Sequence, residues 1–317
     1  MNIMTGARTA VNICLKVKKG EKVVVVTDVL KASIGEAVYR AAKEAGAEAI
    51  LVKMLPRTRH GEEPPEPVAA IMKSADVVIA PTSFSLSHTQ ARKQANEAGA
   101  RIATMPTITE EMMGKGGMTA DFNQVKRQAD RLISKIGDAK EVRVTTPDGT
   151  DIRFSVAGRK WNADTGLLHE KGAFGNLPGG ELYLAPVEGT AEGVIVVTGT
   201  LAGIGILKKP VKIIVKKGLG KEISGGAQAR ALALMLAQAG AKLDRPDNVY
   251  NIAELGIGLN PKAKLIGNAL EDEKVGGTIH LALGDNSTFG GNIRAGVHID
   301  GIILRPTVEV DGKRLKI

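Results

Sequence analysis

The stretch KVVVVTDVLKASIGEAVYRAAKEAGAEAILVKM, residues 22–54, decides the fold of the first half of the chain. It opens with a continuous β-branched run at 22–28, which is typical of a strand covered on both faces of its sheet. Alanines then recur at helical spacing through 34–47, and a second apolar run follows at 49–54. Because a strand, a helix and a strand in this order form a βαβ unit, the stretch predicts a parallel sheet.

Outward from this unit, the alternation of helix and strand continues. Helical patterns at 68–75 and 87–100 each precede an apolar strand pattern, at 76–82 and 101–106. We therefore predict a small doubly wound α/β domain in the first half. The sequence TDVLKASIG stands where a dinucleotide-binding fold would need G-x-G-x-x-G, so a dinucleotide site is not favoured.

The pattern changes in the second half of the chain. Alternating residues around a Pro-Asp-Gly turn predict a hairpin at 141–156, and Gly-rich strand patterns follow, with one strongly apolar helix at 228–241. The fold class that we predict is therefore α/β. An N-terminal doubly wound parallel-sheet domain is expected at 1–136 and a C-terminal α+β metal-binding domain at 137–317.

Composition limits the partners and the compartment. The chain of 317 residues has a formal net charge of +9, but its lysines and arginines are scattered and form no block with interleaved aromatic residues. We therefore expect no nucleic-acid partner. No segment reaches the roughly 20 apolar residues that span a bilayer, so we expect no membrane contact. Cys14 is the only cysteine, which suits a cytoplasmic protein.

Candidate metal ligands lie in HLALGDNSTFGGNIRAGVHID, residues 280–300. His298 and Asp300 are two places apart, and residues at this spacing point to the same face of a strand. His280 opens another apolar run, and the Gly-rich loop between the two runs lets the chain fold back. Two imidazoles and a carboxylate on neighbouring strands make a metal site of the His/His/carboxylate type. The alternative is a hairpin with a solvated histidine and aspartate.

Two glutamates also stand inside apolar runs. Glu181 opens a strand after a Pro-Gly-Gly turn, and Glu254 lies between Ala253 and Leu255. Because a buried carboxylate is costly unless it is paired or bound to metal, both are candidate ligands, although a strand-end glutamate facing water is the alternative. The acidic run EDE at 271–273 precedes the His280 strand and could contribute too, but three acids in a row at a helix end are expected to be solvated.

These residues and their neighbours resemble the M29 metallo-aminopeptidases. The resemblance is strongest in N-x-P-G-G-E, A-E-L-G, E-D-E-K followed by H-L-A-L-G, and H-I-D-G. It implies that these blocks supply ligands to two divalent ions, which would be Zn, Co, Mn or Mg. The implied ligands are Glu181, Glu254, His280, His298 and Asp300.

The resemblance implies an aminopeptidase that removes N-terminal residues from peptides with metal-activated water. Glu181 or Glu254 would relay the proton as the catalytic carboxylate. Members of the family form dimers that enclose the site, so a homodimer is expected. The substrate would be a peptide or another small molecule.

A sister branch of the same fold gives an alternative function. The branch resembles ring-opening dihydroxypyridine dioxygenases, in which His280, His298 and Asp300 would hold one Fe(II) ion. The aminopeptidases have a tyrosine at the metal site soon after the histidine of H-L-A-L-G. Here Ser287 or Phe289 occupies that region, which suits the dioxygenase better. A third interpretation is a binding protein without catalytic metal.

Overall fold

The computed structural model describes residues 2–317, which divide into two compact units. Unit 1 contains the described residues up to Lys126, together with Asp164–Gly180 and Asn260–Ala263. Unit 2 contains Arg127–Ala163, Glu181–Leu259 and Lys264–Ile317. Two segments from the second half of the sequence therefore belong to unit 1. The two-domain division of the sequence near residue 136 stays a prediction.

The strands are numbered in chain order. They are β1 Lys22–Asp28, β2 Glu48–Met54, β3 Val77–Thr82, β4 Arg101–Pro106, β5 Glu141–Thr145, β6 Asp151–Ser155, β7 Asn162–Asp164, β8 Phe174–Asn176, β9 Glu181–Leu184, β10 Glu192–Val197, β11 Thr200–Leu201, β12 Gly205–Ile206, β13 Val211–Lys216, β14 Leu219–Ser224, β15 Ile252–Gly258, β16 Ile279–Gly284, β17 His298–Ile303, β18 Thr307–Val310 and β19 Lys313–Leu315.

The α-helices are numbered in the same way, and short π-helical and 3₁₀ turns lie between them. The helices are α1 Met4–Arg8, α2 Ala32–Glu44, α3 Glu66–Lys73, α4 Gln90–Glu97, α5 Glu110–Gly114, α6 Phe122–Ile136, α7 Ala227–Gly240 and α8 Ala269–Asp272. The π-helical turn is Thr9–Cys14, and the 3₁₀ turns are Gly117–Thr119 and Pro246–Tyr250.

Unit 1 contains a parallel sheet in the order β2-β1-β3-β4-β8. Strand β1 lies inside the sheet between β2 and β3, and its four valines are buried because helices cover both faces of such a sheet. The predicted βαβ unit is β1, α2 and β2. Between the π-helical turn and β1, Lys16 takes a left-handed φ of 47°.

Unit 2 is built on two antiparallel sheets, so the predicted α/β class with an α+β second half is confirmed. One sheet has the order β14-β13-β10-β6-β5-β18-β19, and it contains the predicted hairpin as β5 and β6. The other has the order β12-β11-β17-β16-β15-β9-β7. Strands β9, β15, β16 and β17 of this second sheet carry every predicted ligand.

Candidate metal centre

Strand register brings the predicted ligands onto one face of the second sheet. Glu254 of β15 lies opposite Ala282 of β16, and Ala282 lies opposite Asp300 of β17. Directly opposed residues of antiparallel strands project to the same face, and so do residues two places apart along a strand. His280 and His298 therefore share the face of Glu254 and Asp300.

Glycines on this face make room for the cluster. Glu181 of β9 lies opposite Gly258, and His280 lies opposite Gly256. A Cβ atom added to Gly256 would be 2.0 Å from the His280 ring, so the imidazole lies directly over that glycine. Any larger residue at 256 would push the ring away. In the sequence E-L-G-I-G, Glu254 is a candidate ligand, Gly256 leaves the space for the His280 ring, and Gly258 leaves space for the backbone of Val275.

The polar atoms converge around Glu254. Its Oε1 atom is 3.2 Å from Nε2 of His280, and its Oε2 atom is 3.3 Å from Nε2 of His298. The second imidazole also lies 3.2 Å from Oδ1 of Asp300, and the first lies 3.5 Å from Oε2 of Glu181. Folding has therefore gathered all five predicted residues; that they are ligands stays a prediction.

The Nε2 atom of each histidine points at the carboxylates of the cluster. Nδ1 of His298 donates to the backbone carbonyl of Asp285 at 2.7 Å, which fixes the ring with Nε2 towards the cluster. Metal-binding histidines commonly donate their second nitrogen to a carbonyl in this way. Within residues 2–317, the buried atoms without a hydrogen-bond partner include Oε2 of Glu181 and Nδ1 of His280. An orphaned carboxylate oxygen beside an imidazole is what a bound cation would satisfy.

Burial and mutual charge shift the pKa values of the cluster. Burial alone would lower the pKa of His280, but the hydrogen bond to Glu254 and the nearby carboxylates raise it to about 9. The pKa of His298 is also raised well above its usual value, because Asp300 and Glu254 outweigh its burial. Burial would raise the pKa of Glu254 and of Asp300, but the two imidazoles lower both. Without metal the cluster is therefore a set of imidazolium–carboxylate pairs.

The cluster can hold a divalent metal ion. Ligand atoms of Glu181, Glu254 and His280 all lie within 4.8 Å of one another, and so do those of Glu254, His298 and Asp300. Glu254 belongs to both groups. Nitrogen from neutral imidazole with carboxylate oxygen suits Zn, Co, Mn and Fe, so the donor set fits the expected ions.

A buried lysine lies against the cluster and was not predicted. Nζ of Lys274 is 2.6 Å from Oε1 of Glu181 and 3.0 Å from Oε2 of Glu273. Burial raises the pKa of Glu273 to about 8, although the charge of Lys274 opposes this. In the sequence this lysine stands in a polar run that is typical of a surface, so no local signal marks it.

The expectation that residues 271–273 are solvated is wrong. Glu271 and Asp272 are both 1% exposed. Their carboxylates accept hydrogen bonds from the backbone N–H groups of Lys264 and Ile266 at 3.2 and 2.8 Å. They hold the preceding loop through its backbone, a use that the amino-acid sequence does not reveal.

Fold and site together define the class: a protein with the M29 fold and a buried cluster that can hold a metal ion. The fold matches the solved structure of a 2,5-dihydroxypyridine dioxygenase from Pseudomonas putida KT2440, with a TM-score of 0.80 and 20% identity over 99% of this chain and 95% of that one. It also matches AmpT from Thermus thermophilus, with a TM-score of 0.71 and 17% identity over 99% and 96% of the two chains. At such identities these likenesses show the fold alone.

The sequence decides between the two branches. The model of the family described as "NicX: 2,5-dihydroxypyridine 5,6-dioxygenase" matches residues 3–316, and the chain belongs to this family. A relative from Pseudomonas putida KT2440, a 2,5-dihydroxypyridine 5,6-dioxygenase, is 23% identical over 254 residues, which are 76% of this chain and 69% of the relative.

The family assignment corrects the main functional prediction. The aminopeptidase function is wrong, and so are the terms hydrolase, metalloprotease and proteolysis, because the family model and the relative are dioxygenases. The proton relay by Glu181 or Glu254 was predicted for peptide hydrolysis, so it does not carry over to a dioxygenase. The error arose because the same ligand types occur in both branches of the fold. Within residues 2–317, no helix is long and apolar enough to cross a membrane.

Proposed function

We propose that this protein is a ring-cleaving dioxygenase that acts on a dihydroxypyridine, with 2,5-dihydroxypyridine as the first substrate to test. The observation that carries the proposal is the match of the dioxygenase family model along residues 3–316, which includes the whole buried cluster. The cluster supports it, because two histidines and carboxylates are the ligand types of non-haem iron oxygenases.

The proposed reaction needs only dioxygen as co-substrate. The bond between ring carbons 5 and 6 breaks, and both oxygen atoms of O₂ enter the product. The electrons that reduce O₂ come from the electron-rich ring, so no external reductant takes part. The pyridine thereby becomes an open-chain product, and one O₂ is consumed for each ring.

The proposed ligands are His280, His298 and Asp300, with Glu254 beside them. An Fe(II) ion bound there would supply a place where the substrate oxygens and O₂ meet and exchange electrons. The His/His/Asp trio does not by itself form a group with all ligand atoms within 4.8 Å among residues 2–317, because Glu254 lies between the two imidazoles. Glu254 therefore either joins the ligands or moves aside when metal binds.

Two further carboxyl groups, on Glu181 and Glu273, can accept or donate a proton at the site. Oε2 of Glu181 has no hydrogen-bond partner and can accept one from a ring hydroxyl. Glu273, with its pKa raised to about 8 by burial, carries a proton at neutral pH and hydrogen-bonds Asp300. We propose that Glu181 orients the hydroxyl and that its unpartnered carboxylate oxygen accepts the proton that the hydroxyl loses.

The test is a stoichiometric assay. Metal-free protein is loaded anaerobically with one equivalent of Fe(II), mixed with 2,5-dihydroxypyridine and then given O₂. We expect loss of the ring absorbance with one O₂ consumed per ring. Protein loaded with Zn(II), which has no redox chemistry, and the His298→Ala variant are the controls. Iron-loaded protein that leaves both ring and O₂ untouched would contradict the proposal.

Three expectations about partners remain proposals. A small-molecule substrate, a homodimer and a lack of nucleic-acid binding are consistent with the scattered basic residues and the buried cluster. Light scattering on a sizing column measures the oligomer, and a filter-binding assay with random DNA and RNA measures nucleic-acid affinity. A monomer, or DNA binding at physiological salt, would overturn the corresponding proposal.

A further inference from the structure

The open side of the cluster is at His298. Its side chain is 30% exposed, whereas those of Glu181, Glu254 and Asp300 are at most 10% exposed. His280 is almost fully buried. The most exposed ligand candidate of the cluster is therefore His298, and the residues that border its ring can contact a ligand that approaches there.

Two aromatic rings border that side. Phe289 packs edge-on against His298, with ring centroids 5.7 Å apart and an interplanar angle of 83°. It packs in the same manner on Tyr183, with centroids 5.6 Å apart. Tyr183 lies opposite Gly256 in the register, so it projects to the same sheet face as His280. Both aromatic side chains are half-buried, so part of each ring remains open to a ligand.

Phe289 is held by a loop that is anchored on both sides of it. Before it, the fully buried Asn286 donates from Nδ2 to Oε1 of Glu188 at 3.0 Å. After it, the backbone N–H of Asn292 donates to the same oxygen at 2.8 Å. Arg159 forms an ion pair with the other oxygen of Glu188.

The loop is closed across its own chain as well. The backbone N–H of Ile293 donates to Oδ1 of Asn286 at 2.9 Å. Gly291 leaves the space for that amide, because a Cβ there would lie 1.9 Å from Cγ of Asn286. The aromatic ring is thus fixed before a ligand arrives, which reduces the entropy lost on binding.

We propose that Phe289 and Tyr183 form a ring-binding wall at the open side of the cluster and select planar aromatic ligands. This inference rests on the proposed function, from which the choice of dihydroxypyridine as the test ligand comes. Edge-to-face and offset-stacked aromatic pairs add about 0.5–1.5 kcal/mol beyond the area they bury. The wall gives that gain to a flat ring beside His298 and denies it to an aliphatic metal chelator.

The test compares ligand classes in iron-loaded protein without O₂. Dissociation constants are measured for 2,5-dihydroxypyridine and catechol, which are rings, and for acetohydroxamate, which is not. We expect Phe289→Leu to raise the constants of both rings about 2- to 12-fold, the equivalent of the aromatic gain, and to leave acetohydroxamate and iron content unchanged. Phe289→Tyr keeps the ring and restores tight binding.

A matched control exists in unit 1. Phe84 is also half-buried and packs edge-on against a histidine, with its centroid 5.3 Å from the ring of His60. Phe84→Leu removes an aromatic–histidine pair of the same kind from unit 1, which contains none of the five candidate ligands. We expect it to change none of the three dissociation constants.

Each result decides something about Phe289. If Phe289→Leu weakens iron and all ligands together, the ring only supports His298 and the inference is overturned. Unchanged ring binding overturns it as well, even if 2,5-dihydroxypyridine is turned over and the proposed function stands. Weakened catechol binding without any turnover of 2,5-dihydroxypyridine supports the wall and removes the proposed function. Wild-type protein that binds neither ring overturns both.

Discussion

Two buried carboxylates, Asp28 in unit 1 and Glu181 in unit 2, show how a structural acid differs from a candidate ligand. Asp28 ends β1 and is fully buried, and its oxygens accept from the backbone N–H groups of Leu30 and Ser83 and from the Ser83 hydroxyl. Glu181 is equally enclosed, yet one of its oxygens has no hydrogen-bond partner and the other contacts Lys274. Dipoles of the surrounding chain satisfy the first carboxylate, whereas the second depends on cations.

The same contrast separates the two sheets. Carboxyl ends of parallel strands are the usual ligand-binding edge of a doubly wound sheet. At that edge of unit 1, the hydroxyls of Ser87 and Thr104 lie 2.8 Å apart, and each lies within hydrogen-bond distance of Oδ1 of Asn176, so neutral groups satisfy one another there. In unit 2, the antiparallel face carries charged groups that are held mainly by one another. Unsatisfied charge, rather than strand direction, marks the site in this protein.

The largest expected effect tests the dependence of Glu181 on Lys274. We expect Lys274→Met to lower the free energy of unfolding of the metal-free protein by about 3–5 kcal/mol, because a buried ion pair loses one partner. Added Fe(II) or Zn(II) should restore part of the loss by supplying another cation. Urea unfolding with and without metal measures both effects. Lys212→Met, at an exposed lysine, should stay within about 0.5 kcal/mol of wild type. A metal-insensitive loss would argue against Glu181 as a ligand.

A pair of substitutions, at Asp300 and Asp28, can break the distinction between a candidate ligand and a structural acid. We expect Asp300→Asn to weaken metal binding by more than about 100-fold, since losing an outer partner of a ligand already costs up to that much. Asp28→Ala should instead lower the free energy of unfolding by about 2–3 kcal/mol, because buried donors lose their acceptor, and leave metal content unchanged. Metal analysis after dialysis and urea unfolding give the two readouts. Exchanged phenotypes would show that the two carboxylates have been misassigned.

The third prediction concerns the space under His280. Gly256→Ala should displace the imidazole that lies over it, lowering metal affinity at least about tenfold and the free energy of unfolding by about 1–3 kcal/mol, as overpacking does. Gly137→Ala is the control, because the added methyl would meet only one backbone oxygen, at 3.1 Å. Calorimetric metal titration of both variants separates a local effect from a general glycine effect. Wild-type affinity in Gly256→Ala would mean that His280 is not a ligand.

Local sequence patterns predicted individual elements and ligand candidates of this protein, but they did not predict which residues face each other in paired strands. The βαβ unit at 22–54 was predictable because hydrophobic periodicity is a property of each segment by itself. His298 and Asp300 were predictable because their spacing alone places them on one face. The register that sets Gly256 under His280 joins strands far apart in sequence, and nothing local encodes it.

Function was harder to predict than the candidate site for a chemical reason. The five gathered residues provide imidazole and carboxylate ligands that suit several ions and more than one reaction. Ser287 or Phe289 stands where the aminopeptidases would have a metal-site tyrosine, and this missing tyrosine was the departure that favoured the dioxygenase. Lys274 could not have been found, because its run of charged neighbours is also the pattern of a solvated surface.

The smallest expected effect is the pH dependence of metal binding, which tests whether imidazolium–carboxylate pairs hold the metal-free cluster together. His280, with a pKa of about 9, and His298 are protonated at neutral pH, whereas a metal ligand must be a neutral imidazole. Metal binding should therefore release protons, and affinity should rise about tenfold per pH unit for each proton released, up to about pH 9. Calorimetry at pH 7 in buffers of different ionisation enthalpy counts the protons.

The protons on the two histidines also stabilise the metal-free fold, and this contribution decreases as the pH rises. A histidine whose pKa is raised on folding contributes its full stability below about pH 6.5, its unfolded value, and loses it as pH rises through about 9. Metal-free protein should thus weaken across the pH range in which it binds metal more tightly. Metal affinity and unfolding free energy that stay level between pH 6.5 and 9 would show that the histidines are neutral without metal.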